Sequence, residues 1–193
     1  MMDLKSCNWI NEPKKWVLED EVLYVETNSN TDFWRETHYG FTRHSGHIFG
    51  YEIEGDFTFQ LCIEGDFEKL YDQAGIMIEL DSQSWCKAGI EFSDNEFLMS
   101  SVLTYGKSDW STGLFQGNPK KFWMRATMIN NVLRLQYSTD GFTWPLMRLC
   151  PFPNEEKLFV GAMCCTPERE GLKIRFSEFR LSNPLAKDLH DLS

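Results

Sequence analysis

The chain has 193 residues, a formal net charge of −10 at pH 7 and an aromatic content of 15%. So many rings exclude an intrinsically disordered chain, and the length suits one domain, residues 1–193, with a sizeable core. The acidic balance argues against nucleic acid and anionic membrane surfaces as partners, because neither would attract it.

The opening stretch, MMDLKSCNWINEPKKW, lacks the apolar core of a secretion signal, and no apolar run approaches the length of a membrane span. A cytoplasmic location is expected. Cys7, Cys62, Cys86, Cys150, Cys164 and Cys165 then read as free thiols that behave as small hydrophobes. They show no CxxC or paired metal spacing, so no zinc ribbon is expected. Pro13 argues against a regular helix in residues 9–16, and residues 21–27 (EVLYVET) alternate as a strand does. Residues 32–51 (DFWRETHYGFTRHSGHIFGY) have no clean period and read as a long ordered loop with room for one short strand. Residues 56–64 (DFTFQLCIE) give the cleanest strand, with Phe57, Phe59, Leu61 and Ile63 turned inward.

Residues 71–92 (YDQAGIMIELDSQSWCKAGIEF) read as a β-hairpin with two unlike faces. A three-residue loop at Asp81, Ser82 and Gln83 puts Ala74, Ile76 and Ile78 on one face with Cys86, Ala88 and Ile90. The opposite face then carries Gln73 against Glu91, Gly75 against Gly89 and Met77 against Lys87. Glycine weakens a strand, so two facing glycines call for a compensating reason: a bulge, or the close approach of a ligand or another backbone.

Further on, residues 96–105 form a strand, and residues 106–120 mix turn residues with a strand near Leu114. Residues 122–138 make a second hairpin through Asn130 and Asn131, which tolerate positive φ. Residues 144–149 suit an edge strand, since Pro145 stands at its start. Residues 158–165 and 172–181 close the fold. Ile174 and Phe176 are out of phase with Phe179 and Leu181, which predicts a β-bulge near Ser177. The tail SNPLAKDLHDLS has room for one short helical turn. No stretch sustains a helical period, so the pattern is an all-β sandwich or barrel.

The runs TDFWRETHYGFTR, YDQAGIMIELD, WCKAGIEF, YSTDGFTW and VGAMCCTPEREGLKIRFSEF, taken in this order, resemble a family catalogued as a domain of unknown function, sometimes labelled regulation-of-enolase-like. The resemblance runs from about Trp9 to Leu181. It implies a concanavalin A-like jelly-roll β-sandwich of two curved antiparallel sheets, one of them concave. It brings no established reaction and no catalytic residues. Relatives by fold include lectins, carbohydrate-binding modules and glucanases, although fold does not fix function.

No catalytic constellation stands out. Glu79 and Asp81 are half of the alternating-acid mark of retaining glycosidases and read as a strand end and a turn former. His38, His44 and His47 cluster, but their spacing matches no standard ligand set, so no metal and no cofactor are expected. The run STDGFTW resembles an Asp-box one residue short and reads as a turn with Trp144 packed behind it. The better signal is aromatic residues in polar company. A ligand trough is expected on the non-core face of the central hairpin, floored by Gly75 and Gly89 and lined by Gln73, Lys87 and Glu91. Trp34, Arg35, His38 and Trp110 would form its rim. An equal alternative has the 32–51 loop fill the trough. Three functions remain open: a module that binds carbohydrate or another small polar ligand, a glycoside-cleaving enzyme using carboxylates of that face, and a regulatory protein-interaction module acting on a metabolic enzyme.

Overall fold

Strands that alternate apolar and polar residues each have one face to bury, and stacking two sheets on those faces does so. A computed structural model describes residues 3–154 and 157–193. Sheet A runs in the order β1 (Asn8–Ile10), β6 (His47–Ile53), β15 (Leu158–Cys165), β8 (Gln73–Asp81), β9 (Ser84–Ser93), β10 (Glu96–Tyr105), β11 (Lys107–Leu114). Sheet B runs β14 (Leu146–Pro151), β13 (Val132–Ser138), β12 (Phe122–Ile129), β7 (Phe57–Gly65), β16 (Lys173–Ser182), β3 (Val22–Glu26), β2 (Lys15–Glu19). The pairings in both are antiparallel. A separate hairpin consists of β4 (Phe33–Arg35) and β5 (Thr42–His44). The result is an all-β jelly-roll sandwich.

The core lies between the sheets. Ala74, Ile76, Ile78, Cys86, Ala88 and Ile90 of sheet A meet Phe57, Phe59, Leu61, Ile63, Met124, Leu133, Leu135 and Ile174 of sheet B. These are the inward sets that the alternation predicts. The central hairpin has the expected register, with Gln73 opposite Glu91, Gly75 opposite Gly89 and Met77 opposite Lys87. It reaches that register differently: Asp81 pairs with Ser84 around a two-residue turn, and an irregularity between Glu79 and Asp81 absorbs the extra residue. In β16 the register shifts between Ser177 and Arg180, with Glu178 at φ 55°, so Ile174, Phe176 and Phe179 all reach the core. Asn130 and Asn131 turn with φ 50° and 60°, as the β12–β13 connection requires. The tail shows no helix, only a turn in which Asp191 N–H donates to the Asp188 carbonyl at 3.0 Å.

Residues 32–51 are not a loop: they hold β4, β5 and most of β6. The β4–β5 hairpin lies over the face of sheet A turned away from sheet B. There Phe33 and Trp34 join Ile48, Met77, Trp85, Val102, Met163 and Cys165 in a second apolar cluster. His44 Nε2 meets Glu79 Oε2 at 2.9 Å at one end of the hairpin. At the other end, Arg35 N–H donates to Ser108 Oγ and Arg35 Nε to the Gly106 carbonyl, both at 3.0 Å. His47 is buried beneath: Nδ1 donates to the Asn11 carbonyl at 2.5 Å, and Nε2 accepts from Asn28 N–H at 3.1 Å.

The outer face of sheet B is covered differently. The tail lies across it, with Arg134 donating to the Lys187 and Leu185 carbonyls at 3.0 and 3.1 Å and Thr58 Oγ1 accepting from Leu185 N–H at 2.9 Å. Trp144 is buried behind the Asp140 turn, with the Arg125 guanidinium 3.7 Å from its ring centre. Asp140 accepts from the backbone N–H groups of Thr143 and Phe142 and from the Ser138 hydroxyl, which hold its carboxyl well below the usual range. The STDGFTW run is therefore a self-satisfied turn.

Candidate functional site

Register alone brings a row of side chains together on the outer face of sheet A. Gly161, Met77, Lys87, Val102 and Trp110 lie side by side across β15, β8, β9, β10 and β11. The next row is Met163, Gly75, Gly89, Ser100 and Thr112, and beyond it come Cys165, Gln73, Glu91 and Leu98. Where the β4–β5 hairpin stops, a pocket of about 240 Å³ opens above these rows. Gln73, Lys87, Glu91, Val102 and Trp110 come from the sheet. Asp32, Trp34, Tyr39, Phe41 and Arg43 come from the hairpin, and Tyr71, Pro167 and Glu168 from the loops at the far end.

The floor is a connected polar cluster. Lys87 Nζ donates to Gln73 Oε1 at 2.8 Å and reaches Asp32 Oδ1 at 3.3 Å, with the lysine side chain 5% exposed. Asp32 Oδ1 also accepts from Phe33 N–H at 2.8 Å, which fixes the carboxylate at the start of β4. Burial works against the Lys87 ammonium, but the neighbouring Asp32 and Glu91 carboxylates outweigh it and hold its pKa above that of an ordinary lysine. Lys87 is therefore a fixed cation and hydrogen-bond donor, not a free amine nucleophile. Burial also raises the Glu91 carboxyl, against the opposing pull of Lys87 and Ser100. One relay ties wall to floor: Trp110 Nε1 donates to Ser100 Oγ at 3.0 Å, and Ser100 Oγ donates to Glu91 Oε2 at 3.0 Å. Gln73 Nε2, Asp32 Oδ2 and Glu91 Oε1 make no hydrogen bond among the described residues, and none is sealed from solvent. The floor thus presents an amide donor and two carboxylate acceptors around an ammonium.

The walls are aromatic and mutually perpendicular. Trp34 stands edge-on to Trp110, with ring centres 6.2 Å apart at 89°, and to Tyr39 at 5.5 Å and 70°. Trp34 Nε1 donates to the Thr37 carbonyl at 3.0 Å, which fixes its ring. The end wall is pinned from below. Asp72, fully buried, accepts from Arg169 Nε and Nη2 at 2.8 and 2.5 Å and from the Glu68 and Lys69 N–H groups. Thr166 N–H donates to Thr31 Oγ1 at 2.9 Å and its hydroxyl to Thr27 Oγ1 at 2.8 Å.

The residues singled out from the sequence are distributed as follows. Trp34, Gln73, Lys87, Glu91 and Trp110 line the pocket. Gly89 lines only a recess of about 10 Å³ beneath it, close to the space one water needs. Gly75 lines neither: a Cβ there would fall 1.9 Å from the Ala88 carbonyl oxygen, and one on Gly89 2.1 Å from that of Ala74. The pair lets two backbones close on each other, the third of the reasons weighed for it. Arg35 points to the Gly106 carbonyl and the Gln83 side chain, away from the pocket. His38, at φ 63° in the β4–β5 turn, is exposed and lies edge-on to Tyr39 outside the pocket. Asp32, Tyr39, Phe41, Arg43, Tyr71, Pro167 and Glu168 were not singled out. The density of aromatic residues in 32–51 was the one signal available for two of them, Tyr39 and Phe41.

A Saccharomyces cerevisiae protein named "Regulation of enolase protein 1" is 54% identical over 191 residues, covering 99% of this chain and 96% of that protein. A crystal structure described as that of a functionally unknown protein from Saccharomyces cerevisiae superposes with a TM-score of 0.94 at 52% identity, over 96% of this chain and all of that one. Two more distant structures share the fold. The GH43 protein BlXynB (K247S mutant) from Bacillus licheniformis matches at TM-score 0.71 and 12% identity, over 92% of this chain and 36% of that one. A legume lectin-like domain from Entamoeba histolytica matches at 0.59 and 11%, over 93% and 91%. The sandwich is thus of the concanavalin A-like kind that the sequence motifs imply. Among the described residues, no helix is long and apolar enough to cross a membrane. Residues 9–184 match the family model described as "Protein of unknown function (DUF1349)", and the chain belongs to that family.

Proposed function

We propose that this chain is an intracellular, single-domain, non-catalytic binding module that seats a carbohydrate in the aromatic pocket on the outer face of sheet A. The observation that carries the reading is the floor: Gln73 and Lys87 as donors beside Asp32 and Glu91 as acceptors, under the rings of Trp34 and Trp110. Each sugar hydroxyl both donates and accepts, so adjacent hydroxyls suit a floor where the two kinds of group alternate. The apolar face of the ring suits the indoles. The lectin-like neighbour supports such a fold as a sugar-binding scaffold. Glycoside cleavage fits less well. Asp32 is engaged by its own backbone and by Lys87, which leaves it poorly placed as a nucleophile or base.

The test is isothermal titration of the purified chain with neutral sugars, alongside an assay for released reducing ends. Saturable binding that Trp110→Ala weakens by about tenfold or more, with no sugar released, supports the module. Turnover would replace it with the enzyme, and failure of every sugar to bind would refute it. A second reading, a regulatory contact with a metabolic enzyme, draws on the name of the yeast relative. Phe142, 80% exposed in the β13–β14 connection, and the exposed Leu146 and Leu149 of edge strand β14 are the apolar side chains such a contact would use. Light scattering of this chain mixed with purified enolase tests it, and two unshifted peaks would reject it.

A further inference from the structure

We propose that the pocket admits one terminal or free neutral sugar residue and excludes the interior of a polysaccharide. This rests on the carbohydrate reading above and adds to it the form of the ligand. A trough on the outer face of sheet A left open at both ends would hold a polymer lengthwise. Here both ends are built over. Across one end the β4–β5 hairpin is fastened from Glu79 of β8 to Ser108 of β11, by the His44 contact at 2.9 Å and the Arg35 N–H bond at 3.0 Å. Phe33 fills the space beneath: a Cβ on Gly46 would fall 2.1 Å from its ring, which stands edge-on to Trp85 at 6.0 Å.

The other end is closed by Pro167 and Glu168. Their loop is held by the Arg169–Asp72 fork and by Thr166 on Thr31, so it is a wall with buried anchors. Between the two ends, the Tyr39 and Tyr71 hydroxyls meet at 3.4 Å and bridge from the hairpin turn to the end wall.

Volume agrees within this pocket, which a second space of about 460 Å³ adjoins past Trp34, Tyr39 and Trp110. A cavity of about 150 Å³ holds benzene, so about 240 Å³ suits one six-membered ring with its hydroxyls. Sites for larger ligands run to about 300–1,000 Å³. Charge sets the rest of the class. Lys87 is opposed by Asp32 and Glu91, and Arg43 shares the rim with Glu168. No surplus of positive charge remains to hold a phosphate or carboxylate.

The experiment is calorimetric titration of the full chain with D-glucose, D-galactose, D-mannose, D-xylose, their available hexasaccharides, the matching soluble polymers and hexose 6-phosphates. The expected result is one-to-one binding of at least one monosaccharide, with affinity changing by less than about tenfold from one residue to six. Polymer binding should count chain ends. Affinity that climbs more than about a hundredfold with length, or polymer binding that counts internal repeats, would overturn the inference while leaving the carbohydrate reading standing. Tighter binding of a hexose phosphate would overturn its neutral part. Binding of nothing in the panel would remove both. Tyr39→Ala supplies an independent arm, since Tyr39 is largely exposed and the sandwich does not depend on it. Removing this bridge should raise affinity for the hexasaccharide relative to the monosaccharide. An unchanged ratio counts against the closure.

Discussion

Replacing Lys87 by methionine keeps most of the side-chain stem and removes the one ammonium from the pocket floor. In the native chain that ammonium lies 3.3 Å from Asp32 Oδ1 and 2.8 Å from Gln73 Oε1, with the two charged side chains 5% and 12% exposed. Without it, Asp32 and Glu91 stand in a low-dielectric site with no cation between them. Breaking a buried pair by deleting one partner costs about 3–5 kcal/mol, because the remaining charge is left uncompensated. For a chain of this size each kcal/mol moves the melting temperature by about 2–4 °C, so a fall of roughly 6–20 °C is expected. The penalty should depend on pH. Burial already raises the Glu91 carboxyl, and the variant removes the opposing pull of Lys87, so below neutrality the native state takes up a proton there before the unfolded state does. The deficit is then full near neutrality and shrinks as pH falls through that raised value. Urea denaturation followed by tryptophan fluorescence, at about pH 7 and about pH 4.5, measures both quantities. Adding Asp32→Asn to Lys87→Met should recover a large part of the loss. A loss below about 1 kcal/mol at neutral pH, an equal loss at both pH values, or simple additivity of the two substitutions would refute the ion cluster.

Three further outcomes are expected. Burial holds His47 below the ordinary histidine value of 6.5; above that value the ring is neutral in both states, and below it only the unfolded chain gains a proton at first. Stability should therefore fall as pH drops from about 6.5 toward the lowered value, and His47→Gln should flatten that slope in urea titrations. Gly89→Ala should destabilise by about 1–3 kcal/mol or more, because its Cβ meets backbone; Gly113→Ala on edge strand β11, with nothing within 4 Å, should stay within about 0.5 kcal/mol. Equal effects in thermal melts would contradict the backbone approach. Ile76→Asp should leave no cooperative transition, since an unpaired carboxylate in this core costs several kcal/mol, and a soluble variant with the parent melting temperature would refute its inward facing.

The two sheets were legible because most strands expose one face of their pleat to polar surroundings. β7 reads directly as Phe57, Phe59, Leu61 and Ile63 inward. β6 was not legible, and the physical reason is the hairpin laid over it: His47, Ile48, Phe49 and Gly50 are all buried, so the alternation that marks a strand is gone. The pocket was legible where it depends on register within one hairpin, as for Gln73, Lys87 and Glu91. It was not legible where it depends on contacts remote in sequence. Asp32 reaches Lys87 across 55 positions, and nothing in its own neighbourhood indicates that. The paired glycines announced a close approach without saying of what, since a ligand and a neighbouring backbone ask the same of a strand.

The position of β15 has a consequence for the order in which the molecule can be made. It lies between β6 and β8, hydrogen-bonded to both, although it follows them by a long stretch of chain. The meander from β8 to β11 can pair as it emerges, because each strand there neighbours its predecessor. β6 and β8 have no common partner until residues 158–165 arrive. Pairings of such long sequence separation form slowly, because loop closure must precede their reward. Pro167 and Glu168, which wall the pocket, follow directly behind that strand. A nascent or truncated chain therefore has the aromatic rim of the site but neither its end wall nor the strand that joins β6 to β8, and the pocket takes shape only in the step that closes the sandwich.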